Sequence, residues 1–196
     1  MKVTKTRITE VLIIEPEAFG DSRGWFLETF SRQRYEQALA PYGAGQAGIK
    51  LSFVQDNISF SAKNVLRGLH FQHPHSQGKL VQVLSGEAFD VAVDIRVGSP
   101  TFGQWAGETL SASNHKQMYI PPGFAHGFCV LSDAALFSYK CTDYYSPADE
   151  AGIIFNDPDL AIAWPAGSPI VSKKDAGYPR LKDIPKDKLP KFRTNK

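Results

Sequence analysis

The sequence predicts a mainly β protein, a jelly-roll β-barrel or sandwich with a few short helices. Three observations lead there. Apolar and polar residues alternate over several stretches, the period of a strand with one buried face. Turns rich in Gly and Pro separate those stretches. Helical spacing is confined to short segments. Many short strands joined by such turns make a sandwich or a barrel, whose mouth is a natural place for a small ligand.

Each element follows from local pattern. The opening stretch "MKVTKTRITEVLIIEPEAFGD" holds an apolar run of only four residues, too short for a signal-peptide core or a membrane span. "SRQRYEQAL" predicts a helix, with Ser31 as N-cap and Phe30, Tyr35 and Leu39 near helical spacing. "PYGAGQAG", residues 41–48, reads as a flexible loop, because strands resume beyond it. "KLVQVLSG" and "FDVAVDIR" read as strands joined by a turn at "SGE". In the second, Phe89, Val91, Val93 and Ile95 share one face and Asp90, Ala92, Asp94 and Arg96 the other, a half-buried strand. "PPGFAHGFCVLS" begins with a turn and runs into another strand. "ALFSYKCTDYY" alternates so that Tyr139, Cys141, Asp143 and Tyr145 share a face. A second short helix is expected after Lys173.

Composition sets the outer bounds. The 196 residues suffice for one domain spanning 1–196 with a sizeable core. A net charge of +2 does not suggest nucleic acid. Residues 173–196 carry nine Lys/Arg against three Asp, so that stretch is +6 and the remainder −4. A basic tail from about residue 176 is expected to be solvated and loosely packed. Two cysteines, Cys129 and Cys141, do not make a disulfide framework and read as buried thiols in a reducing compartment. With no apolar span, the expected location is the cytoplasm.

"RGLHFQHPHSQGK" (67–79) holds three of the five histidines, His70, His73 and His75, and raises the question of a metal site. "HPHSQGKLVQVLSG" and "PPGFAHGF" together resemble the two halves of the cupin metal motif. The resemblance implies a cupin barrel. Yet the position of the motif's carboxylate ligand is Lys79, its leading glycine is out of register at Gly68, and its asparagine position is Val130. An ammonium has no lone pair for a metal and repels a dication. A metal is therefore not expected, and the resemblance to a metal-free family implies no other cofactor.

The metal-free frame is specific. "DSRGWFLETF", "FVQDNISFS", "RGLHFQ", "GKLVQVLSGEAFDVAVDIR", "SPTFGQW", "YIPPGFAHGF", "YKCTDYYSPADEAGI", "NDPDLAIAWP" and "SKKD" resemble, in order and over nearly the whole chain, the dTDP-4-dehydrorhamnose 3,5-epimerase family. The resemblance implies a dTDP-linked 4-keto-6-deoxyglucose as substrate, whose ketone acidifies the C–H bonds at C3 and C5. Epimerisation there needs a base, a cation to hold the enolate and an acid. By resemblance, His70 is the base, Asp175 the carboxylate that orients it, Lys79 the residue facing the O4 oxyanion and Tyr139 the general acid. A neutral imidazole suits reversible proton removal, and a phenol stays protonated at neutral pH.

The same resemblance assigns the remaining contacts. Arg23 and Arg67 would hold the diphosphate, Tyr145 would stack on thymine, and Phe26 would be a further stacking partner. Glu28, Gln55 and Asn57 would hydrogen-bond thymidine, and His126, Glu150 and Lys174 would complete the set. His73 and His75 are read as turn residues beside Pro74, and His115 as a loop residue. The resemblance also implies a homodimer in which the N-terminal segment, with Arg23, Phe26 and Glu28, reaches the partner's site. Neither a nucleic-acid nor a membrane partner is expected. The alternatives are an epimerase of a single carbon, a non-catalytic sugar-nucleotide-binding cupin and a metal-dependent cupin.

Overall fold

The computed structural model describes residues 1–42 and 51–192, so most of the loop expected over 41–48 lies outside the described residues. The first strands are β1 (Lys2–Lys5), β2 (Leu12–Glu15), β3 (Ala18–Asp21) and β4 (Gly24–Leu27), followed by helix α1 (Arg32–Leu39). Then come β5 (Gln55–Ala62), β6 (Leu66–Gln72), β7 (Lys79–Ser85), β8 (Glu87–Asp94) and β9 (Trp105–Ser111). The last are β10 (Gln117–Ile120), β11 (Phe124–Val130), β12 (Ala134–Cys141), β13 (Glu150–Gly152) and helix α2 (Lys173–Ala176). A six-stranded sheet runs β1-β2-β10-β7-β12-β5 and a five-stranded sheet β13-β6-β11-β8-β9, while β3 and β4 form a separate hairpin. Every pairing of these strands is antiparallel. This is the jelly-roll architecture that the alternating pattern predicts. Among the described residues no helix is long and apolar enough to cross a membrane.

The core has three layers, and they explain what periodicity alone misses. Between the sheets, Val81, Val83, Ala88, Ala92, Leu110, Met118, Phe128 and Phe137 pack together, with the rings of Phe128 and Phe137 stacked at 4.0 Å. Outside the six-stranded sheet, Tyr35 and Leu39 of α1 cover Leu12, Ile14, Leu80 and Tyr119. Outside the five-stranded sheet, Leu160, Leu181 and Leu189 cover Leu69, Val91, Val93 and Ile95. Each fully buried Leu, Ile or Val side chain contributes about 1.5–3 kcal/mol. The central strands are therefore buried on both faces, and β10 and β11 have no exposed residue.

Two expectations need correction. The strand at "FDVAVDIR" is not half-buried: Asp90 and Asp94 are fully buried. They are tolerated because each is paired, Asp90 with His126 and Asp94 with Arg96. The apolar face of β8 looks outward, and the face carrying Asp90 looks inward. The turn expected at "SGE" is present, with Gly86 at φ +81°, and it carries the chain from one sheet to the other. The described residues of the basic tail are not loosely packed. Leu181 and Leu189 are buried, Val97 N–H donates to Pro190 O at 2.8 Å, and the Phe192 ring lies 4.9 Å from the Arg96 guanidinium. The tail's charged residues face water while its leucines close the outer layer.

Helix α1 forms where capping and spacing predict, and α2 begins at Lys173, where a second short helix is expected. Ser31 is the N-cap residue of α1, although its side chain makes no capping bond. Ser172 caps α2 fully, its Oγ accepting from Asp175 N–H at 3.0 Å.

Candidate active site

Strand register brings the chemistry to one end of the barrel. The start of β7 meets the end of β12, with Lys79 opposite Cys141. The end of β12 meets the start of β5, with Tyr139 opposite Asn57 and Cys141 opposite Gln55. On the other sheet His70 lies opposite Gly152 of β13. The resulting cavity, of about 350 Å³, is lined by Gln55, Asn57, His70, Lys79, Tyr139, Tyr145 and Glu150, among others. Hollows of about 610 and 490 Å³ lie elsewhere, but neither places a histidine–carboxylate pair beside a lysine and a tyrosine.

The His70 ring is fixed by helix α2. Its Nε2 lies 2.9 Å from Asp175 Oδ1. An ionised carboxylate only accepts, so Nε2 is the donor of this bond. The second oxygen of Asp175 accepts from Gly68 N–H at 3.2 Å. Asp175 is buried while His70 is partly exposed to the cavity. Gly68 is required here: its φ is +125°, and a Cβ would sit 2.6 Å from Gly127 Cα and 2.7 Å from His126 O. Gly68 thus lets β6 lie against β11 and offers its backbone N–H to the carboxylate.

Across the cavity, Lys79 Nζ is 5.9 Å from the Tyr139 ring centroid. Burial pulls the Lys79 ammonium below the ordinary lysine range, opposed in part by the charges of Cys141, Asp90 and Glu150. Burial pushes the Tyr139 phenol up, so it stays protonated. At the rim, burial raises the Glu150 carboxyl, but hydrogen bonds from Lys174 and Tyr145 outweigh that and hold it low. Those bonds are 2.6 Å from Lys174 Nζ and 2.7 Å from the Tyr145 hydroxyl. Tyr145 N–H donates to Gln55 Oε1 at 2.8 Å, Gln55 Nε2 to Asn57 Oδ1 at 3.0 Å, and Asn57 Nδ2 contacts Cys141 Sγ at 3.7 Å. A polar chain therefore runs from the rim to the floor.

Not every expected site residue lines this cavity. His126 is buried inside the barrel, its Nε2 2.8 Å from Asp90 Oδ2, and burial holds its imidazole below the ordinary range. Arg67 is exposed, its Nε donating to Ser61 Oγ at 3.0 Å, and its charge favours ionisation of Tyr139. Arg23 pairs with Asp21 at 2.5 Å on the hairpin, Phe26 is exposed, and Glu28 lies 3.7 Å from Arg34. None of these three reaches the cavity of its own chain. His75 is held by Asp149 at 2.6 Å, His73 lies at the end of β6, and His115 packs against Trp25 in the loop after β9.

Residues with no expected site role also line the cavity, among them Gln72, Gln77 and Cys141. Cys141 was visible in the alternation that puts Tyr139 and Tyr145 on one face. Gln72 is buried with its amide bonded to His75 O, Tyr144 O and Ser146 N–H, contacts that no local pattern announces.

A jelly-roll barrel whose mouth collects a His–Asp dyad, a cation and a phenol defines the cupin-type carbohydrate epimerases. Residues 5–183 match the family model described as dTDP-4-dehydrorhamnose 3,5-epimerase, and the chain belongs to that family. It is 52% identical over 184 residues to the dTDP-4-dehydrorhamnose 3,5-epimerase of Shigella flexneri, covering 93% of this chain and 97% of that protein. The structure of a dTDP-6-deoxy-D-glucose-3,5-epimerase from Legionella pneumophila in complex with dTDP-4-keto-L-rhamnose superposes with a TM-score of 0.92 at 53% identity, covering 98% of this chain and 99% of that one. The dTDP-4-dehydrorhamnose 3-epimerase of Streptomyces niveus is also similar, at 40% identity over 176 residues, covering 89% of this chain and 81% of that protein.

Proposed function

We propose that the protein epimerises dTDP-4-dehydro-6-deoxy-D-glucose at C3 and C5 to give dTDP-4-dehydro-L-rhamnose, an isomerisation by proton removal and return beside the 4-keto group. The observation that carries this reading is the His70–Asp175 pair facing Lys79 and Tyr139 across one cavity. Nδ1 of His70 takes the proton from the carbon next to the ketone, and Asp175 stabilises the imidazolium that forms. The electron pair moves onto O4, where the Lys79 ammonium holds the enolate oxygen. Tyr139 returns a proton to the opposite face of the ring, and C4 becomes a ketone again. The Tyr145, Gln55, Asn57 and Glu150 side of the cavity supports a role in binding the nucleotide.

The test is incubation in D2O with NMR of the sugar. Deuterium is expected at both C3 and C5. Deuterium at C3 alone selects a single-carbon epimerase, and no exchange by folded protein sinks the reading altogether.

The hairpin β3–β4 supports a second part of the proposal, a homodimer in which Arg23, Phe26 and Glu28 serve the partner's cavity. Phe19, Trp25 and Phe26 are exposed on it, and the edge strand β5 exposes Ile58 and Phe60, an apolar display that a second copy would cover. Light scattering should give twice the chain mass, and Arg23→Ala should weaken substrate binding. A monomer at working concentration that retains full activity would refute it.

A further inference from the structure

Three residues beyond Asp175, the Tyr178 ring packs against His70. Its ring meets His70 edge to face, with centroids 5.9 Å apart and planes at 76°. It sits in a notch that only glycine leaves: a Cβ on Gly152 would collide with the Tyr178 ring atoms Cδ2, Cε2 and Cζ. Gly152 is the residue paired with His70 across β13 and β6, so the notch lies directly beside the base. The backbone on either side is pinned. Gly177 N–H donates to Lys174 O at 3.1 Å, and Ile154 N–H donates to Pro179 O at 2.9 Å. The Tyr178 hydroxyl is buried and has no hydrogen bond of ordinary geometry; burial pushes its phenol up, and the nearby Lys174 ammonium opposes that by charge and by a weak hydrogen bond.

We propose that Tyr178 is a positioning residue for the base. Its ring holds the imidazole plane so that Nε2 stays on Asp175 and Nδ1 stays free, and the ring, not the hydroxyl, carries this role. The inference rests on the epimerase reading for its kinetic consequence, but its effect on His70 is measurable without turnover. An imidazole held by one hydrogen bond can still rotate about that bond. A wall against its face removes that freedom, and small losses of orientation are costly in catalysis.

The test compares Tyr178→Phe, Tyr178→Leu and Tyr178→Ala. Tyr178→Phe keeps the wall and should leave kcat at the wild-type level. Tyr178→Leu and Tyr178→Ala should lower kcat by about ten- to a hundredfold with little change in KM, the signature of lost orientation. The 15N NMR spectrum of His70 should change from one tautomer to a mixture in the Leu and Ala variants and not in the Phe variant. The Leu side chain keeps apolar volume in the notch, so the fold should persist; if either of these two fails to fold, the other supplies the comparison. Wild-type kcat and a single His70 tautomer in the folded Leu or Ala variant would overturn the proposal. A Phe variant as impaired as these would overturn the assignment to the ring. Absence of exchange by the wild type would refute the epimerase reading instead, and the tautomer measurement would still decide the role of Tyr178.

Discussion

His70→Ala is expected to lower solvent exchange at C3 and C5 by about 10²–10⁴-fold, the range that a positioned general base contributes. Nucleotide binding should survive, because the side chain removed touches Asp175 and Tyr178 and not the rim formed by Tyr145, Gln55 and Glu150. Calorimetry with dTDP, run beside the D2O assay, separates the two effects. Both carbons should lose exchange together if one base serves both. An Ala variant that still exchanges at the wild-type rate would refute the role of His70. One that loses dTDP binding as well would show that the substitution disturbs the cavity as a whole.

Lys79→Met should have the second-largest effect, a fall of about 10²–10³-fold in kcat, the usual cost of removing one group that stabilises a developing oxyanion. Methionine keeps the length and apolar bulk of the stem, so the loss reports the charge. A pH profile gives an independent check. The Lys79 pKa is depressed by burial and that of Tyr139 is raised by burial. As pH rises, the cation is therefore neutralised below the pKa of a free lysine, near about 10.4, while the phenol is still protonated. The alkaline fall in kcat/KM belongs to Lys79 and should begin below that value. Lys79→Arg, whose guanidinium does not titrate in this range, should be slower but lose this limb. If the alkaline limb is unchanged in Lys79→Arg, another group controls it.

What the sequence reveals depends on how local the signal is. The strands of the barrel are legible because side chains alternate across a pleat, and helix α1 lies where spacing and capping predict. Burial on the two faces is not local. Val91 and Val93 look outward and are covered by Leu181 and Leu189, which lie far along the chain, so the alternation of β8 suggests a half-exposed strand that does not exist. That Lys79 stands where a metal-binding cupin has a carboxylate is readable from a single position. The dyad is different: 105 residues separate His70 from Asp175, and only the resemblance joins them before the fold does. Tyr178 leaves no trace at all, since its meaning depends on a notch made by Gly152 on another strand.

The dyad also joins two unlike parts of the molecule. His70 stands on a strand inside the five-stranded sheet, and Asp175 stands on an outer wrap with little regular structure beyond a helix of four residues. Peripheral segments of that kind open locally at a lower free energy than the sheets beneath them. Competence and fold are then two separate clocks. Lifting of the wrap would strip the imidazole of its carboxylate with the barrel still intact, so inactivation on heating is expected to precede loss of the β signal in circular dichroism; coincident curves would show that wrap and barrel open together.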